Sequence, residues 1–200
     1  MRSPTLAELK RALARHRPKN LPVQSLMKQA AVAAILREPS PSAPELLFIR
    51  RATHESDPWS GHMAFPGGRV DPQDPSPLAA ARRETLEEVG LELPAEAQVG
   101  ELSRVLTAPR LPIPMVIHPY VFTVEDVPPF RTDPEEVAEA LWVPLGFLAA
   151  PENRGTMKRT IKGVPLTFPC YDYQGRVIWG LTLRMVDELL GLVTNSEVHS

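Results

Sequence analysis

Phe65-Pro-Gly-Gly-Arg-Val-Asp71 and, after a proline-containing link, Ala80-Ala-Arg-Arg-Glu-Thr-Leu-Glu-Glu-Val-Gly-Leu91 form the stretch that decides the fold of this chain. A glycine pair is followed, within one helix length, by Glu84, Glu87 and Glu88. Residues three and four apart lie on the same side of a helix, so we expect these carboxylates on one face. Their mutual repulsion favours a bound divalent cation, because hard cations take oxygen ligands.

The helix that carries these glutamates has clear sequence signals at both ends. Ser76 is the expected N-cap, Pro77 suits the first helical position, and Gly90 suits the left-handed residue that closes a helix. At about 100° per residue, an apolar set falls opposite Glu84. This expected buried face consists of Leu78, Leu86 and Val89. The sequence thus predicts one face that packs and one acidic face that is presented.

The pattern Gly68-x5-Asp74-x8-Arg83-Glu84-x2-Glu87-Glu88-x-Gly90-Leu91 resembles the Nudix box, G-x5-E-x7-R-E-U-x-E-E-x-G-U, where U is a bulky aliphatic residue. Three features depart from it: Asp74 replaces a glutamate, the gap before Arg83 is one residue longer, and Thr85 replaces an aliphatic residue. The alternative for an isolated Glu-x-x-Glu-Glu is a solvated helix face. The flanking glycines favour the functional interpretation.

The resemblance implies roles for the motif residues. Glu84 and Glu88 are expected to bind metal, with the Gly68 carbonyl as a further ligand and Mg²⁺ or Mn²⁺ as the ion. Glu87 is expected to bind metal or to act as the base that activates water, and Glu136 is the second candidate for the base. Arg83 is expected to orient Glu87 through a charge-assisted hydrogen bond.

A second resemblance concerns the substrate. Leu46-Leu-Phe-Ile-Arg-Arg-Ala52, with Gly61-His-Met-Ala-Phe-Pro-Gly-Gly68, resembles the motif upstream of the Nudix box in coenzyme A pyrophosphatases, L-L-T-x-R-[SA]-x3-R-x3-G-x3-F-P-G-G. The segments Trp142-Val-Pro-Leu145 and Val177-Ile-Trp-Gly-Leu-Thr182 are also similar to those enzymes. Coenzyme A, cleaved to 3′,5′-ADP and a 4′-phosphopantetheine product, is therefore the leading expected substrate.

The second arginine of that upstream motif is missing, because Ser56 or Asp57 stands in its place. Another nucleoside diphosphate derivative, such as ADP-ribose, a nucleotide sugar or a dinucleotide, therefore remains an alternative, as does a Nudix module that senses a nucleotide without cleaving it. The residues expected to contact substrate are Arg50, which matches the motif and is expected to contact phosphate, Arg51, Trp59 and Gly67. Trp59 is equally compatible with stacking on an adenine and with a role as a loop anchor. For His62 a structural role is favoured over contact with phosphate.

Composition bounds the remaining possibilities. Two hundred residues, 43% of them hydrophobic, suit one domain, and a net charge of −2 gives no basic excess for nucleic acid binding. The sequence contains no run of eighteen apolar residues, so no membrane-spanning helix is predicted. Met1–Lys10 also lacks the apolar core of a secretory signal. Cys170 is the single cysteine, which excludes an intrachain disulfide. A cytoplasmic location is expected, and the oligomeric state is left open.

The order of elements favours a mixed sheet sandwiched between helices, and by resemblance the α/β/α Nudix fold. We predict an N-terminal helical extension over residues 1–27, packed on a Nudix domain over 28–200. Within it, hydrophobic patterning predicts the following strands: 28–37, 45–51, 99–107, 116–124, 136–143, a hairpin of 156–161 with 165–171, and 176–179. A closing helix is predicted over 181–193.

Overall fold

The structure, a computed structural model, describes residues 3–20, 27–53, 60–107, 114–161 and 163–197. Trp59, Ser56 and Asp57 lie outside these residues. The described strands are β1 (Lys28–Arg37), β2 (Glu45–Arg51), β3 (Met63–Ala64), β4 (Gly67–Arg69), β5 (Gln98–Glu101), β6 (Val105–Leu106), β7 (Met115–Thr123), β8 (Val137–Pro144), β9 (Arg154–Ile161), β10 (Val164–Tyr173) and β11 (Arg176–Trp179). The α-helices are α1 (Leu6–Arg15), α2 (Pro77–Val89), α3 (Leu145–Ala149) and α4 (Gly180–Glu197). Nearly every predicted element is present.

Strand β1 is the centre of the larger sheet. It runs parallel to β7 along its whole length and antiparallel to β2 only at its end, where Leu36 lies opposite Leu46. The two strands then diverge, and the glycine segment fills the gap: Met63–Ala64 pairs with β2, and Gly67–Arg69 pairs with β1. Strand β8 covers the other edge of β2. This split in the sheet brings the glycine turn next to the acidic helix.

Side chains alternate across the sheet, as strand geometry requires. In β2, Leu46 and Phe48 enter the larger core, whereas Leu47 and Ile49 enter the core on the opposite face. The larger core also contains buried residues of α1 and α4, such as Leu9 and Val186, and the opposite one contains Val89 of α2. The sheet is therefore covered by helices on both faces, and the expected α/β/α arrangement is confirmed.

Helix α2 begins and ends where its caps predict. The Ser76 hydroxyl accepts a hydrogen bond from the Ala79 amide at 3.2 Å, and Gly90 has a φ of 69°. The apolar face was predicted wrongly in one respect, because Leu86 is 51% exposed. The buried side is centred on Thr85, whose hydroxyl donates to the Ala81 carbonyl at 2.7 Å and is thereby satisfied. Leu86 lies about 100° from Thr85 around the helix and so points away from the sheet.

The strand predicted over residues 99–107 is interrupted, and this prediction was wrong in its continuity. Leu102 donates its amide to the Pro119 carbonyl at 2.9 Å, but proline has no N–H with which to return the bond. The next two amides bond outside the sheet. The Ser103 amide donates to the Glu188 carboxylate, and the Arg104 amide donates to the Lys19 carbonyl. The ladder with β7 resumes only at Val105.

Helix α1 has a full capping box, in which the Thr5 hydroxyl accepts from the Glu8 amide and the Glu8 carboxylate accepts from the Thr5 amide. Its apolar residues Leu9 and Leu13 are buried in the larger core, which fits a helix packed on the domain. The domain boundary at residue 27 stays a prediction. In the part of the chain that the structure describes, no helix is long and apolar enough to cross a bilayer.

Candidate active site

Three carboxylates converge at the split in the sheet. Glu84 and Glu88 project from α2, and Glu136 lies just before the first residue of β8. One oxygen of each lies within 4.8 Å of an oxygen of the others. Glu84 and Glu88 were predicted as metal ligands, but the sequence placed Glu136 only as a second candidate for the base. Helix α2 supplies two members because residues four apart share a face, while the third comes from a distant segment through the pairing of β8 with β2.

Glu88 is not presented to solvent as predicted, since it is only 2% exposed. The Gly67 amide donates to its Oε2 atom at 2.8 Å, which fixes the carboxylate against the glycine turn. Burial, with the negative charges of Glu84 and Glu136, raises the pKa of Glu88 to about 8, although the Gly67 amide and Arg51 oppose this shift. A buried carboxylate with a raised pKa fits a site that gains a cation, because a cation stabilises the ionised form.

Gly67 and Gly68 are both required by close approach. At Gly67 the φ is 146°, and a Cβ atom would lie 2.2 Å from the Ala31 carbonyl oxygen. At Gly68 a Cβ atom would lie 2.3 Å from Cδ of Glu84. The turn thus lets the Glu84 carboxylate lie directly against the backbone, where burial raises its pKa. The predicted metal contact of the Gly68 carbonyl and substrate contact of Gly67 stay predictions.

Gly68→Ala is expected to lower kcat by about 10²-fold, because the added methyl group must displace the Glu84 carboxylate and a 1 Å misplacement in a site carries a cost of that order. Steady-state kinetics with circular dichroism would measure it. Gly191→Ala is the matched control, since nothing lies within 4 Å of its added methyl group in α4. Unchanged activity in Gly68→Ala would contradict the importance of this approach.

Arg83 ties the segment after the glycine turn to the helix. Its Nε and Nη2 atoms donate to the two oxygens of Asp74 at 3.1 and 2.9 Å, which is a fork-to-fork pair. Its Nη1 atom donates to Glu87 at 2.9 Å and lies 3.0 Å from Glu84. Arg83 also donates to the Arg69 carbonyl at 3.2 Å. Asp74, despite replacing the longer glutamate of the motif, reaches the arginine, which holds its pKa below the ordinary value.

Glu87 lies outside the group of three carboxylates. Its side chain is 54% exposed and is held by Arg83. The hydrogen bond that was expected from Arg83 is present. A role of Glu87 as metal ligand or base stays a prediction.

Arg50 and Arg51 point to opposite sides of β2. Side-chain alternation along β2 places Arg51 on the same side as Leu47 and Ile49, which is the side that α2 covers. The charge of Arg51 lowers the pKa of Glu88. Arg50 lies on the other side, where its Nε atom is 3.7 Å from a Glu139 oxygen. Arg51 is therefore the arginine beside the carboxylate group, whereas the sequence favoured Arg50 for phosphate contact. Alternation from the buried Ile49, combined with the side on which α2 packs, was the signal that would have distinguished them.

Residues 27–163 match the NUDIX domain family. The chain belongs to this family. The Nudix domain is a pyrophosphohydrolase, which cleaves a diphosphate linkage, and its group of three carboxylates can hold a divalent metal ion.

Relatives of this Nudix chain include a named enzyme. This chain is 30% identical over 154 residues to the mitochondrial coenzyme A diphosphatase NUDT8 of Mus musculus. The aligned region covers 75% of this chain and 71% of that protein. The chain is 42% identical over 118 residues to an uncharacterised protein of Schizosaccharomyces pombe, covering 57% of this chain and 36% of that protein. The aligned part thus spans about a third of the yeast relative's length.

The Nudix fold is also found among solved structures. A MutT/nudix family protein from Enterococcus faecalis superposes with a TM-score of 0.56 at 18% identity, covering 100% of this chain and 71% of that chain. At this identity the likeness shows the fold alone.

Sequence reasoning missed one contact near the Nudix motif. The His62 side chain lies 2.7 Å from Arg159 and edge-on to Trp179, with ring centroids 5.1 Å apart. Arg159 and Trp179 belong to the smaller sheet of β9, β10 and β11. No local pattern connects His62 to residues 97 and 117 positions away, so only the tertiary structure reveals this cluster.

Proposed function

We propose that this Nudix domain hydrolyses the diphosphate linkage of coenzyme A or a derivative, using Mg²⁺ or Mn²⁺, and releases 3′,5′-ADP and a 4′-phosphopantetheine product. The single observation that carries the chemistry is the convergence of Glu84, Glu88 and Glu136 within 4.8 Å. The substrate assignment is supported by the upstream motif around Arg50 and by the similarity to NUDT8.

Glu84 and Glu88 are the residues proposed to hold the cation, because both are fixed by the glycine turn and partly or fully buried. A bound divalent ion would neutralise charge on the diphosphate oxygens and orient a water molecule for attack. Arg51, on the same side of the sheet, places a positive charge toward the same oxygens. Its proposed role is to bind phosphate.

Glu136 is proposed as the base that accepts the proton of the attacking water, with Glu87 as the alternative. Glu136 is exposed and lies within the carboxylate group, whereas Glu87 is outside it and hydrogen-bonded to Arg83. The hydrogen bond from Arg83 occupies Oε2 of Glu87, so that oxygen is already engaged and is not free to accept a proton from water.

Glu136→Gln is expected to lower kcat by at least about 10²-fold and to remove the acidic limb of the pH–rate profile, in the range found for general bases. Glu87→Gln is expected to lose less than about tenfold and to keep that limb. Stopped assays between pH 5 and pH 9 would compare the two. The reverse ranking would assign the base to Glu87.

A product assay across a diphosphate panel tests the substrate. The purified chain with Mg²⁺ or Mn²⁺ should convert coenzyme A to 3′,5′-ADP with a higher kcat/KM than ADP-ribose, nucleotide sugars or dinucleotides. Coenzyme A left intact while ADP-ribose is cleaved would refute the substrate. Absence of any cleavage, with nucleotide binding retained, would favour the sensing module.

A further inference from the structure

On the smaller sheet, Arg159 is an arginine with no carboxylate partner among the described residues. Arg37, Arg83, Arg154 and Arg176 each pair with a carboxylate. Arg159 is exposed and pairs with none among the described residues. Its guanidinium is nevertheless held in place, since it lies over the Trp179 ring at 4.8 Å and Nη1 donates to Nε2 of His62 at 2.7 Å. A positioned guanidinium that the described carboxylates leave unpaired suits the binding of an anion.

The contact with His62 also fixes which groups remain for a ligand. Arginine only donates hydrogen bonds, so Nε2 of His62 is the acceptor in this contact. One N–H of Arg159 is used in this contact. Within the described part of the chain, no other hydrogen bond from Arg159 is present, so its fork can engage a phosphate in two places.

Aromatic rings flank this cation. Trp179 meets Phe168 edge-on at 5.4 Å and His62 at 5.1 Å, and both Trp179 and Phe168 are partly exposed. A cation beside accessible aromatic rings suits a phosphorylated nucleoside, because the base can pack on a ring while the phosphate meets the guanidinium.

The cluster is adjacent to the active site through the backbone. The His62 carbonyl accepts from the Arg51 amide at 3.1 Å, and Arg51 is the residue whose charge acts on Glu88. Neighbouring strands are about 5 Å apart, so His62 lies one strand spacing from that arginine. This contact brings His62, and with it Arg159, to the strand next to the one that carries Arg51.

We infer that Arg159, positioned by His62 and Trp179, binds a phosphate monoester on the nucleoside end of the substrate and so selects a substrate that carries a phosphate besides its diphosphate. The inference rests on the proposed function for the identity of that group, the 3′-phosphate of coenzyme A. Arg159 is in this account a specificity-determining residue and takes no part in bond cleavage.

Direct binding tests this without turnover. Titration calorimetry of the full chain should show 3′,5′-ADP binding at least about tenfold more tightly than 5′-AMP, as expected for a charge-assisted pair. Arg159→Gln should remove most of that preference while changing 5′-AMP affinity less than threefold. Arg159→Lys should retain part of it, since it keeps the charge but not the planar fork.

Lys158→Gln is the matched control, because it removes one positive charge from the adjacent position of β9, on the opposite face of the strand. It should bind both nucleotides as the wild type does. Equal affinity of the wild type for both nucleotides would overturn the inference, and so would equal losses for both in Arg159→Gln or a matching loss in Lys158→Gln. Coenzyme A left uncleaved while Arg159 still selects 3′,5′-ADP would instead refute the proposed function alone.

Discussion

Glu88→Gln is expected to lower kcat by at least about 10³-fold while the protein stays folded. The glutamine keeps an oxygen to accept from the Gly67 amide, which donates to Glu88 at 2.8 Å, but it removes the charge proposed to hold the cation. Losing several kcal/mol of charge stabilisation corresponds to this factor, since each 1.4 kcal/mol is tenfold. Kinetics at saturating Mg²⁺ and metal titration of both proteins would measure it.

The same substitution should change how stability depends on pH in the metal-free protein. The pKa of Glu88 is raised from 4.5 to about 8 by burial, so the folded state binds a proton that the unfolded state releases. The contribution of Glu88 to the free energy of unfolding is fully present below pH 4.5, and it is lost as the pH rises toward 8. Between pH 6.5 and 8.5 the wild type should lose about 2 kcal/mol that Glu88→Gln does not lose.

Urea denaturation with a chelator present, at pH 6.5 and 8.5, would compare the two proteins. A divalent cation should reduce the loss in the wild type only, because the ion takes the place of the proton. Parallel pH dependence in the two proteins would contradict the assignment of this loss of stability to Glu88. Undiminished activity of Glu88→Gln would refute its role in holding metal.

Arg83→Gln is expected to affect both stability and activity. Asp74, whose side chain is only 7% exposed, loses the guanidinium that donates to both of its oxygens. Removing one partner of a largely buried pair typically costs 3–5 kcal/mol; because Arg83 is 30% exposed, we expect about 2 kcal/mol. Since Arg83 also holds Glu87 and adjoins Glu84, kcat should fall by about 10²-fold.

Arg154→Gln provides the matched comparison. Arg154 forms the same kind of fork with Asp187, at 2.6 and 2.8 Å, but on a 44% exposed carboxylate away from the active site. Arg154→Gln should lower the free energy of unfolding by less than about 1 kcal/mol and leave kcat unchanged. Asp74→Asn combined with Arg83→Gln should be less damaging than the sum of the two changes, because they disrupt one interaction. Full additivity, or an equal activity loss in Arg154→Gln, would contradict the account.

The boundaries of the elements were largely predictable because they depend on local signals. Ser76 and Gly90 set the ends of α2 by their own side chain and backbone conformation, and the strand limits follow from alternation and turn residues. The exceptions were positions where a distant residue intervened. Pro119 interrupts the strand after Glu101, and the packing of α2 against the sheet buries Thr85 while it leaves Leu86 exposed.

For the site, the sequence by itself determined the residue types and the local spacing: two glutamates four apart on one helix, preceded by two glycines. These follow from helix periodicity, which needs no distant partner. Only the tertiary structure decided that Glu136 completes the group instead of Glu87, that Arg51 faces it instead of Arg50, and that Arg159 meets Trp179 and His62. These outcomes depend on how strands pair and on which face α2 covers, and long-range pairing leaves no local periodic trace.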